Sequence, residues 1–243
     1  MKNLVTFVHP KGAALQTFQL FIPETVADFH IFGVACGGEG GVGSATKPGG
    51  GGGAGDFIDV TLKLAANSLV TAVIQDTNII LSFKPFRALS YSTYVILAGK
   101  DGTAGTTTAG LGGESGAGGE GGTVVSAETH FGSGFNDTNN FAHSCGGQAG
   151  WDVLPTALNP NFAYIRGPTA TLQRCKNKWP NNERALALNN GGGGGVSYFG
   201  GSASHSPNAK SSFGAGAPGC DAGVLTKAAN MGGDAFISVE WEL

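Results

Sequence analysis

Apolar residues recur at every second position in several short segments of the chain. Residues 56–64 show this most clearly, because Ile58, Val60, Leu62 and Leu64 alternate with polar residues. A two-residue period predicts a β-strand with one buried face. Aromatic and β-branched residues favour strands in six further segments, which are 14–22, 28–35, 69–74, 78–83, 93–97 and 234–243. No segment has a 3.6-residue period, so we expect a mainly β and irregular fold with an antiparallel, β-rich base and almost no α-helix.

Glycine recurs at every third position between the predicted strands. In steps of three from Gly37 to Gly55, six of the seven positions are glycine, and the exception is Thr46. The same spacing holds at residues 99–105 and, in a shifted phase, at residues 110–122. An extended left-handed helix of the polyproline II type has three residues per turn. The period therefore indicates ordered helices of this type, whereas a flexible linker has no reason to show it.

Helices of this type can exchange backbone hydrogen bonds only where the chains approach closely, and glycine permits that approach because it has no Cβ. The chain has only 10 prolines, which does not fit a collagen triple helix. We therefore expect a bundle (sandwich) of left-handed polyglycine II helices, with residues 37–45 and 48–55 joined by the turn SATKP. Since glycine has no side chain, recognition is then expected in turns and insertions.

The two periods divide the chain into three parts. Residues 1–98 are predicted to form the β-rich base, which includes the first polyglycine pair at 37–55. Residues 99–233 are predicted to form a polyglycine II domain with binding loops. Residues 234–243 are predicted to be a closing strand that returns to the base.

The composition excludes several classes of protein. Although 43 of the 243 residues are glycine, 41% are hydrophobic and 15 are phenylalanine, so the chain can bury a core. The net charge of -3 argues against nucleic acid as a partner. No apolar run reaches the roughly 18 residues that span a bilayer. The N-terminal apolar run stops at His9 and Pro10, so we expect neither membrane insertion nor a signal peptide.

Residues with catalytic or metal-binding chemistry form no known motif. Four cysteines are widely spaced, at Cys36, Cys145, Cys175 and Cys220. Their spacing suggests neither a zinc site nor a redox pair, so buried free thiols are expected, and one or two disulfides stay open. The histidines match no metal-binding motif and no G-x-S-x-G occurs, so we predict no enzyme, no metal and no cofactor. Acidic pairs such as Asp56 and Asp59 leave glycoside hydrolysis as an alternative.

The order of the glycine blocks resembles a known family. The stretches "FQLFIP", "FHIFGVACGGEGG", "GGGGGAGDFIDVTL", "GLGGESGAGGEGG", "NNGGGGGVSYFGGS" and "GGDAFISVEW" follow one another along the chain. This order is similar to the glycine-rich tip domain of the distal adhesins on T-even-like phage long tail fibres. The resemblance implies a virion protein, assembled in the host cytoplasm, whose loops on a polyglycine II sandwich bind a bacterial outer-membrane protein or lipopolysaccharide.

One feature of that family is missing. Those adhesins begin with a tryptophan-containing segment that caps the fibre shaft, and no tryptophan precedes Gly37. The β-rich first hundred residues are therefore the candidate attachment region for another virion fibre protein, or they are only the base of the adhesin's own fold.

Four insertions between the glycine blocks are candidate binding loops, at 103–111, 126–143, 151–190 and 196–213. Aromatic side chains with asparagine and glycine are typical of adaptable binding loops. In the second insertion these are His130, Phe131, Phe135, Asn136 and Asp137. The alternative is that the phenylalanines only cover the flank of the bundle.

The third insertion is long and basic, which suits phosphates or acidic loops of a receptor, with a tryptophan as anchor. Its candidate contact residues are Arg174, Lys176, Lys178, Trp179, Asn181 and Asn182. A solvated polar loop is the alternative. The fourth insertion adds Tyr198 and Phe199, although serine-rich loops of this kind are often only connectors.

Two further functional classes fit a polyglycine bundle. A structural fibre or decoration protein of the virion would need no receptor. Some arthropod antifreeze proteins stack such helices and present flat rows of small residues to ice, and "GTAGTTTAG" at 102–110 contains suitable threonines. Those proteins have few large apolar residues, so the 15 phenylalanines favour the adhesin.

Overall fold

The computed structural model describes residues 2–24, 28–106, 131–132, 194, 197, 199, 209–220, 223–224 and 230–242. These residues form strands and irregular segments and no helix, which confirms the predicted strand-rich class. The strands are β1 (Lys2–His9), β2 (Gln16–Phe21), β3 (Asp28–Val34), β4 (Phe57–Lys63), β5 (Leu69–Gln75), β6 (Asn78–Phe83), β7 (Ser92–Leu97), β8 (Phe131–Gly132), β9 (Ala209–Lys210), β10 (Asn230–Met231) and β11 (Ala235–Glu242).

The strands form two antiparallel sheets and one short parallel pair. The first sheet has the order β1-β11-β3-β4-β8, and the second has the order β2-β5-β6-β7. The short pair joins β9 to β10. Strand β11 lies between β1 and β3, so the first and last strands are direct neighbours.

The inner faces of the two antiparallel sheets pack against each other. In β4 the predicted alternation is confirmed, because Ile58 and Val60 are buried whereas Thr61 and Lys63 are exposed. One continuous core combines side chains of both sheets, such as Ile58 from the first and Leu81 from the second. The two sheets therefore form a β-sandwich around one hydrophobic core.

Strand β1 is not among the predicted strands. Its apolar residues fall on both faces, since Val5 and Phe7 are partly buried while Leu4 and Val8 are 59% and 41% exposed. A strand with apolar residues on both faces lacks the alternation that identifies strands in the sequence. Full-length pairing with β11, from Lys2–Glu242 to His9–Ala235, places it in the sheet.

Four glycine-rich segments extend from the sandwich and lie side by side, and we call them together the glycine bundle. They are segment 1 (35–44), segment 2 (48–56), segment 3 (98–106) and segment 4 (214–220). Segments 1 and 2 run antiparallel, because Gly38 N–H donates to Gly53 O and Gly41 N–H to Gly50 O, both at 2.8 Å.

Segment 1 also accepts hydrogen bonds from segments 3 and 4, again at every third residue. From segment 3, Gly99 N–H donates to Cys36 O, Gly102 N–H to Glu39 O and Gly105 N–H to Val42 O. From segment 4, Ala217 N–H donates to Gly38 O and Cys220 N–H to Gly41 O. A three-residue period therefore governs the hydrogen bonds of segment 1 with three different neighbours.

The periodic glycines are required because the adjacent segments leave no room for a side chain. A Cβ at Gly52 or at Gly102 would lie closer than 3.0 Å to the backbone of the adjacent segment. The glycines with positive φ in the described residues are Gly12, Gly214 and Gly223, and Gly52 and Gly102 are not among them. Close packing of backbones, and not an unusual φ angle, therefore requires glycine at these positions.

Candidate functional site

The four segments of the glycine bundle have one end at the sandwich and one end away from it. Segment 1 follows β3, segment 2 leads into β4, and segment 3 follows β7. At the other end, which we call the distal end, lies the turn at 45–47. There Ser44 N–H donates to Lys47 O at 2.7 Å, which confirms a turn within SATKP.

The end of segment 3, and Gly223 just beyond segment 4, also meet this turn. Ser44 Oγ donates to Thr106 O at 3.2 Å, and Gly223 N–H donates to Ser44 O at 2.7 Å. Ala45 and Thr46 are exposed at the tip of the turn. The first four residues of the predicted first insertion, 103–106, therefore belong to segment 3, which reaches this turn through Thr106.

Phe131 and Phe199 are the predicted contact residues that fall in the described part of the chain. Phe131 belongs to β8, where it pairs with Ile58 of β4 at the edge of the first sheet. The remaining predicted contact residues lie outside the described residues, namely His130, Phe135, Asn136, Asp137, Arg174, Lys176, Lys178, Trp179, Asn181, Asn182 and Tyr198.

Phe199 packs against the outer face of the first sheet. Its ring centroid lies 4.9 Å from that of Phe236 and 6.3 Å from that of Phe32. Phe213 also contacts Phe236, with the ring centroids 5.1 Å apart. The two ends of the fourth insertion thus cover a phenylalanine cluster on the sheet, and Phe199 is half-buried there.

A polar pocket of about 350 Å³ lies further along this outer face. It is lined by Asp28, His30, Thr61, Lys63, Glu240, Trp241 and Glu242. His30 is held in place because Nε2 lies 2.7 Å from Asp59 Oδ1 and its ring stacks on Phe32. Three carboxylates and one lysine make the pocket acidic, which suits hydroxyl groups or cations as ligands. In the sequence, the pocket is indicated only by the polar residues that alternate with the buried ones in β3, β4 and β11.

Asp56 is a buried acid at the junction of segment 2 and β4. It is 1% exposed, and neither carboxylate oxygen has a hydrogen-bond partner. Burial raises the pKa of Asp56 well above its usual value, and the backbone amide of Phe57 offsets only part of this rise. Asp59, by contrast, forms a surface pair with His30, so the two acids do not share one site.

We expect Asp56→Asn to stabilise the protein at neutral and alkaline pH. In the native state Asp56 keeps its proton to a higher pH than it does in the unfolded chain. Above pH ~4 the native state therefore binds more protons than the unfolded state, and the free energy of unfolding falls as pH rises. Denaturant unfolding between pH 4 and 8 should show a gain of at least about 1 kcal/mol for Asp56→Asn at pH 8, shrinking towards pH 4. Asp101→Asn is the control, at an exposed acid whose Oδ1 accepts a hydrogen bond from Glu39 N–H, and it should show no gain at pH 8; an equal gain there would contradict this explanation.

Cys36 and Cys220 are buried in the glycine bundle and form no disulfide, which confirms the expectation of buried thiols for these two. Burial is the largest influence on Cys36 and raises the pKa of its thiol to about 12. Its thiol is therefore uncharged at neutral pH.

Comparison with known protein families and with curated proteins gives no match for this chain. Among the described residues, no helix is long and apolar enough to cross a membrane. The functional argument therefore depends on the geometry of the sandwich and the glycine bundle.

Proposed function

We propose that this protein is the receptor-binding adhesin at the tip of a phage tail fibre, and that its glycine bundle is a bundle of polyglycine II helices. The observation that carries the proposal is the shared three-residue period of the glycines and of the hydrogen bonds around segment 1. A polyproline II-type helix presents a new face every 120°, so residues three apart meet the same neighbour.

The buried body of such a bundle has little recognition chemistry of its own. Glycine and alanine provide most of its buried positions, including Gly49, Gly52, Ala54 and Ala217. Its close backbone packing supplies a rigid support, and rigid supports favour loop binding because less conformational freedom is lost when the ligand binds. The insertions therefore carry the receptor contacts in this proposal.

The two ends of the bundle then have different roles. The distal turn at 45–47 faces the bacterium together with the loops of the insertions, of which the second and the fourth are attached to the first sheet through Phe131 and Phe199. The sandwich faces the rest of the fibre and contacts another virion fibre protein. The receptor is a bacterial outer-membrane protein or lipopolysaccharide, and binding is non-covalent, without nucleic acid or membrane insertion.

Binding to bacteria tests this proposal directly. Labelled full-length protein is incubated with a panel of Gram-negative strains, and a strain that binds is compared with its mutants lacking porins or lipopolysaccharide. We expect saturable binding that is lost in one of the two mutants. Undiminished binding to both mutants would contradict the proposed receptor classes, and a lack of binding across the panel would favour a structural fibre protein.

The side chains of segment 3 argue against the ice-binding alternative. Lys100 and Asp101 are exposed beside Thr103 and Ala104, so this surface carries charges among its small residues. We therefore expect no thermal hysteresis from the purified protein in a nanolitre osmometer.

A further inference from the structure

Three potential metal ligands meet where the sandwich joins the glycine bundle. His9 ends β1, Cys36 lies in segment 1, and Asp76 lies in the turn between β5 and β6. One ligand atom from each of these side chains lies within 4.8 Å of the other two. His9 and Cys36 are fully buried, and the side chain of Asp76 is 38% exposed.

The surroundings of His9 favour a cation at this point. Its Nδ1 lies 3.1 Å from Gln16 Oε1, and its Nε2 lies 3.2 Å from Asp76 Oδ1. A neutral imidazole donates from one nitrogen only. If Nδ1–H donates to the side-chain Oε1 of Gln16, the lone pair of Nε2 points at an oxygen of the Asp76 carboxylate. Two hydrogen-bond acceptors then face each other without a proton between them. A cation bound by both Nε2 and the carboxylate removes this repulsion.

One of the three distances between ligand atoms already suits a tetrahedral metal ion, and Cys36 Sγ lies within 4.8 Å of the other two ligand atoms, so only a small shift would bring it to zinc. Zinc bonds of about 2.0 to 2.3 Å place neighbouring ligand atoms roughly 3.3 to 3.7 Å apart, and the distance from His9 Nε2 to Asp76 Oδ1 is 3.2 Å. A hydrogen bond from the second ring nitrogen, here to Gln16, is what metal-bound histidines usually have. Because the side chain of Asp76 is 38% exposed, solvent reaches the cluster at this ligand.

We propose that His9, Cys36 and Asp76 bind one zinc ion, which ties the β-sandwich to segment 1 of the glycine bundle. A thiolate and an imidazole favour zinc over calcium or magnesium, which prefer oxygen ligands alone. The ligands come from three distant points in the chain, so the site has no C-x-x-C or H-x-x-x-H spacing. This structural role is independent of receptor binding.

Metal binding by the full-length protein tests the site. After chelation and buffer exchange, the protein is titrated with Zn²⁺, and separately with Co²⁺ as a spectroscopic probe. We expect one high-affinity zinc per chain, and a thiolate-to-cobalt charge-transfer band with the intense visible absorption of tetrahedral cobalt. Saturating zinc should raise the unfolding midpoint by roughly 5 °C or more.

The chain offers a matched pair of cysteine variants. Cys36→Ser should lower zinc affinity at least tenfold and abolish the charge-transfer band, whereas Cys220→Ser should change neither, although both thiols are buried in the glycine bundle. Asp76→Asn should also lower zinc affinity at least tenfold. Because Asp76 is partly exposed, this variant keeps the test valid if Cys36→Ser does not fold.

Three results would overturn the proposal. They are an absence of zinc binding, zinc binding that persists unchanged in Cys36→Ser or Asp76→Asn, and a cobalt spectrum without a thiolate band. In each case a second ring proton on His9, or a turned Gln16 amide, would account for the hydrogen bonds of the cluster.

Discussion

Gly52→Ala is expected to lower the free energy of unfolding by at least about 3 kcal/mol. The added Cβ would overlap the carbonyl group of Gly38 in segment 1. Overpacking alone typically costs about 1 to 3 kcal/mol, and a clash with backbone atoms, which cannot turn away as a flexible side chain can, falls at the upper end of this range. Separation of the segments would also break the bond from Gly52 N–H to Ala217 O, which contributes on the order of 1 kcal/mol. In thermal unfolding this corresponds to a loss of roughly 6 to 12 °C.

Ala54→Gly is the matched control for this experiment. It also changes one methyl group in segment 2, at a buried position that already accommodates a Cβ. Removing that Cβ should cost about 1 to 2 kcal/mol, through the loss of one buried methyl group and the greater backbone freedom of glycine in the unfolded chain. Equal losses in the two variants would contradict the view that close backbone approach makes Gly52 necessary.

Replacing Trp179, Asn181 and Asn182 by alanine is expected to abolish binding to bacteria while leaving the protein folded. Aromatic anchors at binding sites commonly contribute 2 kcal/mol or more when truncated, which is a loss of about 30-fold in affinity. Loss of the two neighbouring amides should weaken binding further. Flow cytometry with the labelled variant, alongside thermal unfolding, measures both properties on the same preparation.

Phe21→Ala provides a control for nonspecific stickiness of aromatic residues. Phe21 is 59% exposed in the second sheet, away from the distal end of the glycine bundle. This variant should bind bacteria as the parent chain does. Normal binding by the Trp179 variant would exclude the third insertion from the receptor site, and the second insertion, at 126–143, would become the first candidate.

Much of the sandwich could be predicted from local patterns. The alternation of Ile58 and Val60 with polar residues identified β4, and similar patterns identified β3 and β11. Strand β1 could not be found in this way, because Leu4 and Val8 place apolar side chains on its exposed face. Its strand structure depends on pairing with β11, more than 220 residues away in the chain.

The candidate sites were less accessible to sequence reasoning. Phe199 was predicted to contact a receptor, and it packs on Phe236. Asp56 stood out only as part of an acidic pair, and its isolation follows from the meeting of segment 2 with β4. Cys36 showed no metal-binding spacing, because His9 and Asp76 reach it through separate strands.

The amino-acid sequence by itself determined the two periods, two residues in the strands and three in the glycine segments, because each period depends only on which positions must be apolar or lack a Cβ. Tertiary structure alone decided which segments became neighbours. Every backbone has the same N–H and C=O groups. The glycine period therefore shows where another segment can approach closely, but it does not determine which segment that is. The convergence of His9, Cys36 and Asp76, and the burial of Asp56, follow from that choice of neighbours.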